Sequence, residues 1–196
     1  MKKELQDKLY EKYPKLFGQK DLSMRYTAMC WGIETGNGWY NIIDNACRRI
    51  QWHIEQSRKE RAMALAHNRR LQKAINGNTR DLERFYERLY TDKTQIPDRV
   101  KEEVENKRFR PVNEAVPQIQ FSQIKEKFGT LRMYTDGFDD YIDGVTSMAE
   151  SMSACTCEVC GIPGRQTKGG WVRTLCIRCA KQKGEELYSE EEDDDE

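Results

Sequence analysis

The chain has 196 residues, 37% hydrophobic and 34% charged, with basic and acidic residues balanced at 33 each. That length suits one domain with a small appendage and buries a core without metal holding the whole fold; a charged share above the usual quarter or so asks for long solvated helices, and a net charge of zero says nothing about partners. No run of about 18 apolar residues is present to span a membrane, and the N-terminus MKKELQDKLYEKYPKLF has no apolar segment of the secretory kind, so the expectation is a cytosolic protein whose seven cysteines are metal ligands and buried thiols, not disulfides.

In chain order, residues 2–13 carry Leu5, Leu9 and Tyr10 at helical spacing, and Pro14 ends that helix. A glycine-punctuated stretch follows, with a turn signal at Asn37-Gly38. From Trp39 a helical period begins through Ile42, Ile43, Ala46, Cys47, Ile50 and Ile54, continues as a charged helix to about Ala74, and stops at Asn76-Gly77-Asn78. Shorter helices are predicted over 79–90, with Leu82, Phe85, Tyr86 and Leu89 on one face, and over 98–107, opened by Pro97. Composition changes at Pro111. Between Gln118 and Tyr134 apolar residues alternate in pieces (Ile119, Phe121; Leu131, Met133), which predicts two strands connected near Gly129, although 122–128 also fits a helix. Residues 139–153 form an amphipathic helix with Tyr141, Ile142, Val145, Met148, Ala149 and Met152. The end of the chain, 185–196, has nine acids and no base, the composition of a disordered, solvated tail.

The strongest motif is Cys157-Glu-Val-Cys160, fifteen residues, then Cys176-Ile-Arg-Cys179. Each C-x-x-C turns two thiolates toward one cation, and the gap is long enough for a hairpin that returns the second pair to the same ion. Four sulfurs at about 2.3 Å suit tetrahedral Zn2+; rubredoxin-type iron or a cluster is the lesser alternative. Gly161 relieves the first turn, and Gly164, Gly169 and Gly170 furnish the loop. Cys155, two residues upstream, competes as a ligand, with the C-x-x-C spacing favouring Cys157. A closed four-cysteine site has no position left for water, so the one zinc it implies is structural.

Charge and aromatic residues supply the other candidates. The ribbon at 155–184 holds Arg165, Lys168, Arg173, Arg178, Lys181 and Lys183 against a single acid, Glu158. With Trp171 it can grip phosphate and stack on a base, or it is a solvated ribbon whose tryptophan covers a small core. Trp31, Trp39 and Tyr40 lie among glycines; they line a pocket for a planar ligand or pack under the loop. Lys125, Lys127 and Arg132 flank Gly129 and either bind an anion or pair with Asp136, Asp139 and Asp140. The basic run from Arg58 to Lys73 reads as an exposed helix face. Catalytic signals are poor. His53 sits in an apolar helical stretch, no phosphate loop or nucleophile elbow occurs, and Asp139, Asp140 and Asp143 either hold magnesium or serve a helix dipole.

The order of a Trp-Gly…Gly-Trp segment, IKEKFGTLRMY, DDYIDGVTSMAESMS and CEVCG…GW…TLCIRC resembles a group of small zinc-ribbon accessory proteins of tailed bacteriophages and prophages, over about residues 8–55 and 117–180. The resemblance implies a phage origin, action in the bacterial host cytoplasm and the zinc site, and it carries over no catalytic residue. Small accessory phage proteins often redirect or block host machinery, defence systems included. The expected fold is therefore α+β: a mainly helical body with a short β-hairpin (1–154, with 57–110 as a charged, insertion-like segment), a C-terminal four-cysteine zinc ribbon (155–184) and the acidic tail. The expected function is non-enzymatic, a virus protein that engages a host protein or nucleic acid and no membrane. The alternatives are a binder of a nucleotide signal, an inhibitor of host antiviral defence, or an enzyme built on the acidic site.

Overall fold

The computed structural model describes residues 1–188. The protein is α+β, mostly helical with small sheets and a C-terminal four-cysteine cluster near a hairpin. It divides into two compact units, one of Met1–His53 with the chain from Pro117 onward, the other Ile54–Val116. The second unit spans the segment 57–110 that stands out in the sequence as an insertion.

In the first unit, helix α1 (Lys3–Lys12) buries Leu9 and stops where Pro14 has no N–H to continue it. The long helix α2 (Tyr40–Ile75) begins here and buries Ile42, Ile43, Ala46, Cys47 and Ile50, the residues that set its sequence period. Strand β1 (Ile33–Glu34) runs parallel to β2 (Phe121–Lys127), which is antiparallel to β3 (Thr130–Thr135), in the order β1-β2-β3. Residues 122–127 are thus strand and 128 is a turn residue, so the stretch is not helical. Ile124, Leu131 and Met133 are buried on one face, and Lys125 pairs with Arg132 and Gln123 with Tyr134 on the other.

The hairpin closes through Phe128 (φ 53°) and Gly129 (φ 77°). Positive φ at both positions is the signature of a type I′ turn, whose twist matches the strands. Helix α5 (Asp140–Ala154) packs on β3 and shields its open edge: Leu131 N donates to Ser153 Oγ at 2.7 Å and Met133 N to Glu150 Oε1 at 3.3 Å. Those two N–H groups would otherwise template another strand.

The ribbon consists of β4 (Arg165–Gln166) paired with β5 (Thr174–Leu175), then α6 (Ile177–Lys183). Residues 185–188, the head of the stretch expected as a solvated tail, lie on it. Lys168 N donates to Glu186 O at 2.8 Å and Tyr188 N to Gln166 O at 3.1 Å, with Leu187 packed on the cysteine cluster. The rest of that stretch, 189–196, lies outside the described residues.

The second unit joins the C-terminal half of α2 to α3 (Arg80–Leu89) and α4 (Ile96–Glu105) around Leu71, Ala74, Leu82, Tyr86, Ile96 and Val100. The segment after α4 is laced along α2: Asn68 exchanges two hydrogen bonds with the Arg110 backbone, Arg61 donates to Asn113 O, and Val116 N donates to Ser57 Oγ. No helix among the described residues is long and apolar enough to cross a membrane.

Candidate metal centre

The first cysteine pair sits on a tight knuckle. Gly161 N donates to Cys157 O at 2.8 Å, and Cys157 N donates to Ile162 O at 2.8 Å. The second pair starts α6. Cys176 is its N-cap, and Cys179 N donates to Cys176 Sγ at 3.4 Å. β4 and β5 bring the two knuckles together, so that the Sγ atoms of Cys157, Cys160, Cys176 and Cys179 all lie within 4.8 Å of one another.

Cys160 Sγ is 3.7 Å from both Cys176 Sγ and Cys179 Sγ. A disulfide needs about 2.05 Å, so these are thiols. A tetrahedron of sulfurs with bonds of about 2.3 Å has edges near 3.8 Å, and the arrangement fits a four-thiolate metal. Leu175, Ala180 and Leu187 surround the cluster, which is the ribbon's core. Among the described residues these four cysteines are the one group of three or more His, Cys, Asp or Glu whose ligand atoms converge. The Cys179 N–H holds the Cys176 thiol down at about 7, while burial pushes Cys179 up to about 12. Cys155 lies outside the group, exposed, with its thiol on Met152 O.

The glycine-tryptophan segment before α2 is the seat of the first knuckle. Gly38 N donates to Glu158 O at 2.7 Å, Gly36 N to Glu158 Oε1 at 2.8 Å, and Trp39 Nε1 to Thr156 O at 2.7 Å. Trp39 is fully buried, and it packs where the loop meets the ribbon, not in an open pocket. Burial pushes the Glu158 carboxyl up, opposed by the Gly36 N–H. The sequence signals this seat only as aromatics among glycines; the contacts span more than a hundred residues.

The other candidates are spread over the first unit. Trp31 is exposed in a cleft beside Lys3, Asp7, Tyr10 and Lys20, and none of Trp39, Tyr40, Lys125, Lys127 and Arg132 lines it. Tyr40 is half-buried at the start of α2. Lys125 and Lys127 share the solvent face of β2, 5.5 Å from the Tyr134 ring and 5.3 Å from the Phe128 ring, and Arg132 lies opposite Lys125, 3.6 Å from Glu150.

In the ribbon, Trp171 is 72% exposed, Arg173 is 3.6 Å from Glu185, and Lys168 stands over Tyr188. Arg178 is exposed on α6 and Arg165 is half-buried in β4. A hollow of about 390 Å³ beside Trp171 is lined by Glu34, Glu126, Glu158, Arg173 and Lys183. Of the three aspartates, Asp139 is occupied: it caps α5 by accepting from Ile142 N, and its Oδ2 is 2.7 Å from His53 Nε2. Asp140 and Asp143 lie in the first turn of α5, where carboxylates favour the helix dipole. No protein-family model, curated protein or solved structure matches this chain.

Proposed function

We propose that this chain is a non-catalytic binding protein that uses one structural zinc ion to fold a basic ribbon, and that its partner is nucleic acid. The observation that carries the reading is the closed thiolate cluster at the centre of the ribbon. Zinc suits a buried, redox-silent set of four sulfurs, and with all four positions filled it organises structure without activating water. The ribbon carries six bases against Glu158 across 155–184 and exposes Trp171, a combination suited to phosphates and bases.

The motif resemblance to phage accessory proteins supports reading this activity as one exerted in an infected bacterium, where such a protein would interfere with host machinery, antiviral defence included. A host protein is the second reading, favoured by the apolar groove between α2 and α5 lined by Ile42, Ala46, Val145, Met148 and Met152. Elemental analysis of the purified chain tests the metal: about one zinc per chain is expected, lost in Cys176→Ser together with the ribbon's amide protection, while the helical signal persists. Iron in its place, or full zinc in that variant, contradicts the assignment. Titration of labelled DNA and RNA at two salt concentrations tests the partner, since phosphate contacts strengthen as salt falls. Absence of binding at low salt eliminates nucleic acid and leaves the host-protein reading.

A further inference from the structure

Phe128 takes the positive φ that the hairpin turn needs, yet its side chain packs on none of the buried core. It sits at φ 53°, where a bulky residue is an outlier and Asn or Gly is the ordinary choice. Its side chain is 71% exposed, and the ring contact it makes is with the ammonium of its neighbour Lys127. The turn beneath it is fixed: Gly129 N donates to Glu126 Oε1 at 2.7 Å, and Gly129 O accepts from the buried Thr174 Oγ1 at 2.6 Å. A strained, exposed aromatic on a rigid support points to an external contact.

The face that leads to this tip has a matching pattern. Along the solvent side of β2–β3, Tyr134 (41% exposed) lies under Lys125, Phe128 lies under Lys127, and Arg132 stands across from Lys125. Of the carboxylates, Glu34 lies in register with Lys125 and Glu150 is 3.6 Å from Arg132. We propose that this hairpin face is a platform for single-stranded nucleic acid, with Phe128 and Tyr134 stacking on unpaired bases and Lys125, Lys127 and Arg132 meeting the phosphates. Rings that must reach base faces select single strands, because duplex bases are already stacked. The platform rests on the nucleic-acid reading above and assigns it a place outside the ribbon.

The test is fluorescence anisotropy of short labelled oligo(dT), oligo(U) and a duplex of equal length, using the full zinc-loaded chain. Phe128→Asn keeps the type I′ turn, so its melting temperature stays equal or rises. It is expected to weaken single-strand binding roughly five- to hundredfold without changing the salt slope, since no cation is lost. Phe128→Tyr restores the affinity. A Lys125→Gln, Lys127→Gln double variant flattens the slope of log affinity against log salt by about 1.4. Wild-type affinity in Phe128→Asn, or a preference for duplex, overturns the platform while nucleic-acid binding stands. If the wild-type chain binds none of the three at low salt, the broader reading falls as well.

Discussion

Gly38 has no room for a side chain. A Cβ there would come within 2.1 Å of Cys157 O and 2.5 Å of Gly161 N, so the backbone before α2 lies directly on the knuckle that presents two of the four thiolates. Gly38→Ala must push the knuckle away. It is expected to cost about 3 kcal/mol or more and to speed zinc loss to a chelator. Gly170→Ala, with nothing within 4 Å, serves as control and should stay within about 0.5 kcal/mol of the wild type. Equal chelation rates in the two variants would show that seat and metal are not coupled. The cysteine cluster was legible in the sequence because C-x-x-C spacing is local and its chemistry restrictive. The purpose of Gly36, Gly38 and Trp39 was not, because it depends on a partner segment some 120 residues downstream. Phe128 was equally silent, since spacing does not reveal the sign of φ.

At the scale of elements, legibility follows periodicity. Helix α2 and helix α5 fall where their apolar spacing puts them, and β3 where Leu131 and Met133 alternate, whereas of the alternating pair Ile119 and Phe121 only Phe121 lies in β2, most of which covers the stretch that also fits a helix. The two-residue strand β1 has no such signal. It exists because Ile33 and Glu34 align with Ile124 and Lys125 of β2, a tertiary pairing that leaves no local pattern. His53 reads from sequence as a packed residue. It is half-buried, stacked on Tyr141 with ring centroids 4.2 Å apart, and bonded to Asp139, which also caps α5. Despite partial burial, which raises it, the Ile142 N–H and His53 hold the Asp139 carboxyl below its ordinary value. The cap dictates an ordering of variants. Asp139→Ala should lose about 1 kcal/mol, while Asp139→Asn, whose side-chain oxygen still accepts from Ile142 N, should lose less. Urea midpoints at neutral pH measure both. If the two variants lose equal stability, the cap is not what anchors α5, and the His53 pairing carries the effect.

At the scale of the whole molecule, the two units differ in what holds them: a ribbon built on four converging cysteines and a sheet in one, and in the other three helical segments around an apolar core that buries the unsatisfied His67 Nδ1 and Glu103 Oε2. His67 is 1% exposed, with Nδ1 lacking a partner among the described residues and Nε2 3.6 Å from Glu103 Oε2. Glu103 in turn accepts from Tyr86, and Arg70 and Arg110 stand over the adjoining Phe85 ring. Burial, then Arg110 and Arg70 against the opposing pull of Glu103, hold the His67 pKa below its ordinary 6.5. The sign of the linkage follows. Above pH 6.5 the ring is neutral folded or unfolded and stability is full; as pH falls through 6.5 the unfolded chain takes up a proton that the fold excludes. The second unit should therefore lose up to about 1.4 kcal/mol per pH unit below that point. Hydrogen exchange of the α3 and α4 amides between pH 7.5 and 5.5 isolates this effect from the thiolates, which also protonate in acid. His67→Gln, which cannot titrate, should flatten the dependence even if it lowers stability at neutral pH. Parallel pH profiles in the two proteins would remove His67 as the source of acid sensitivity.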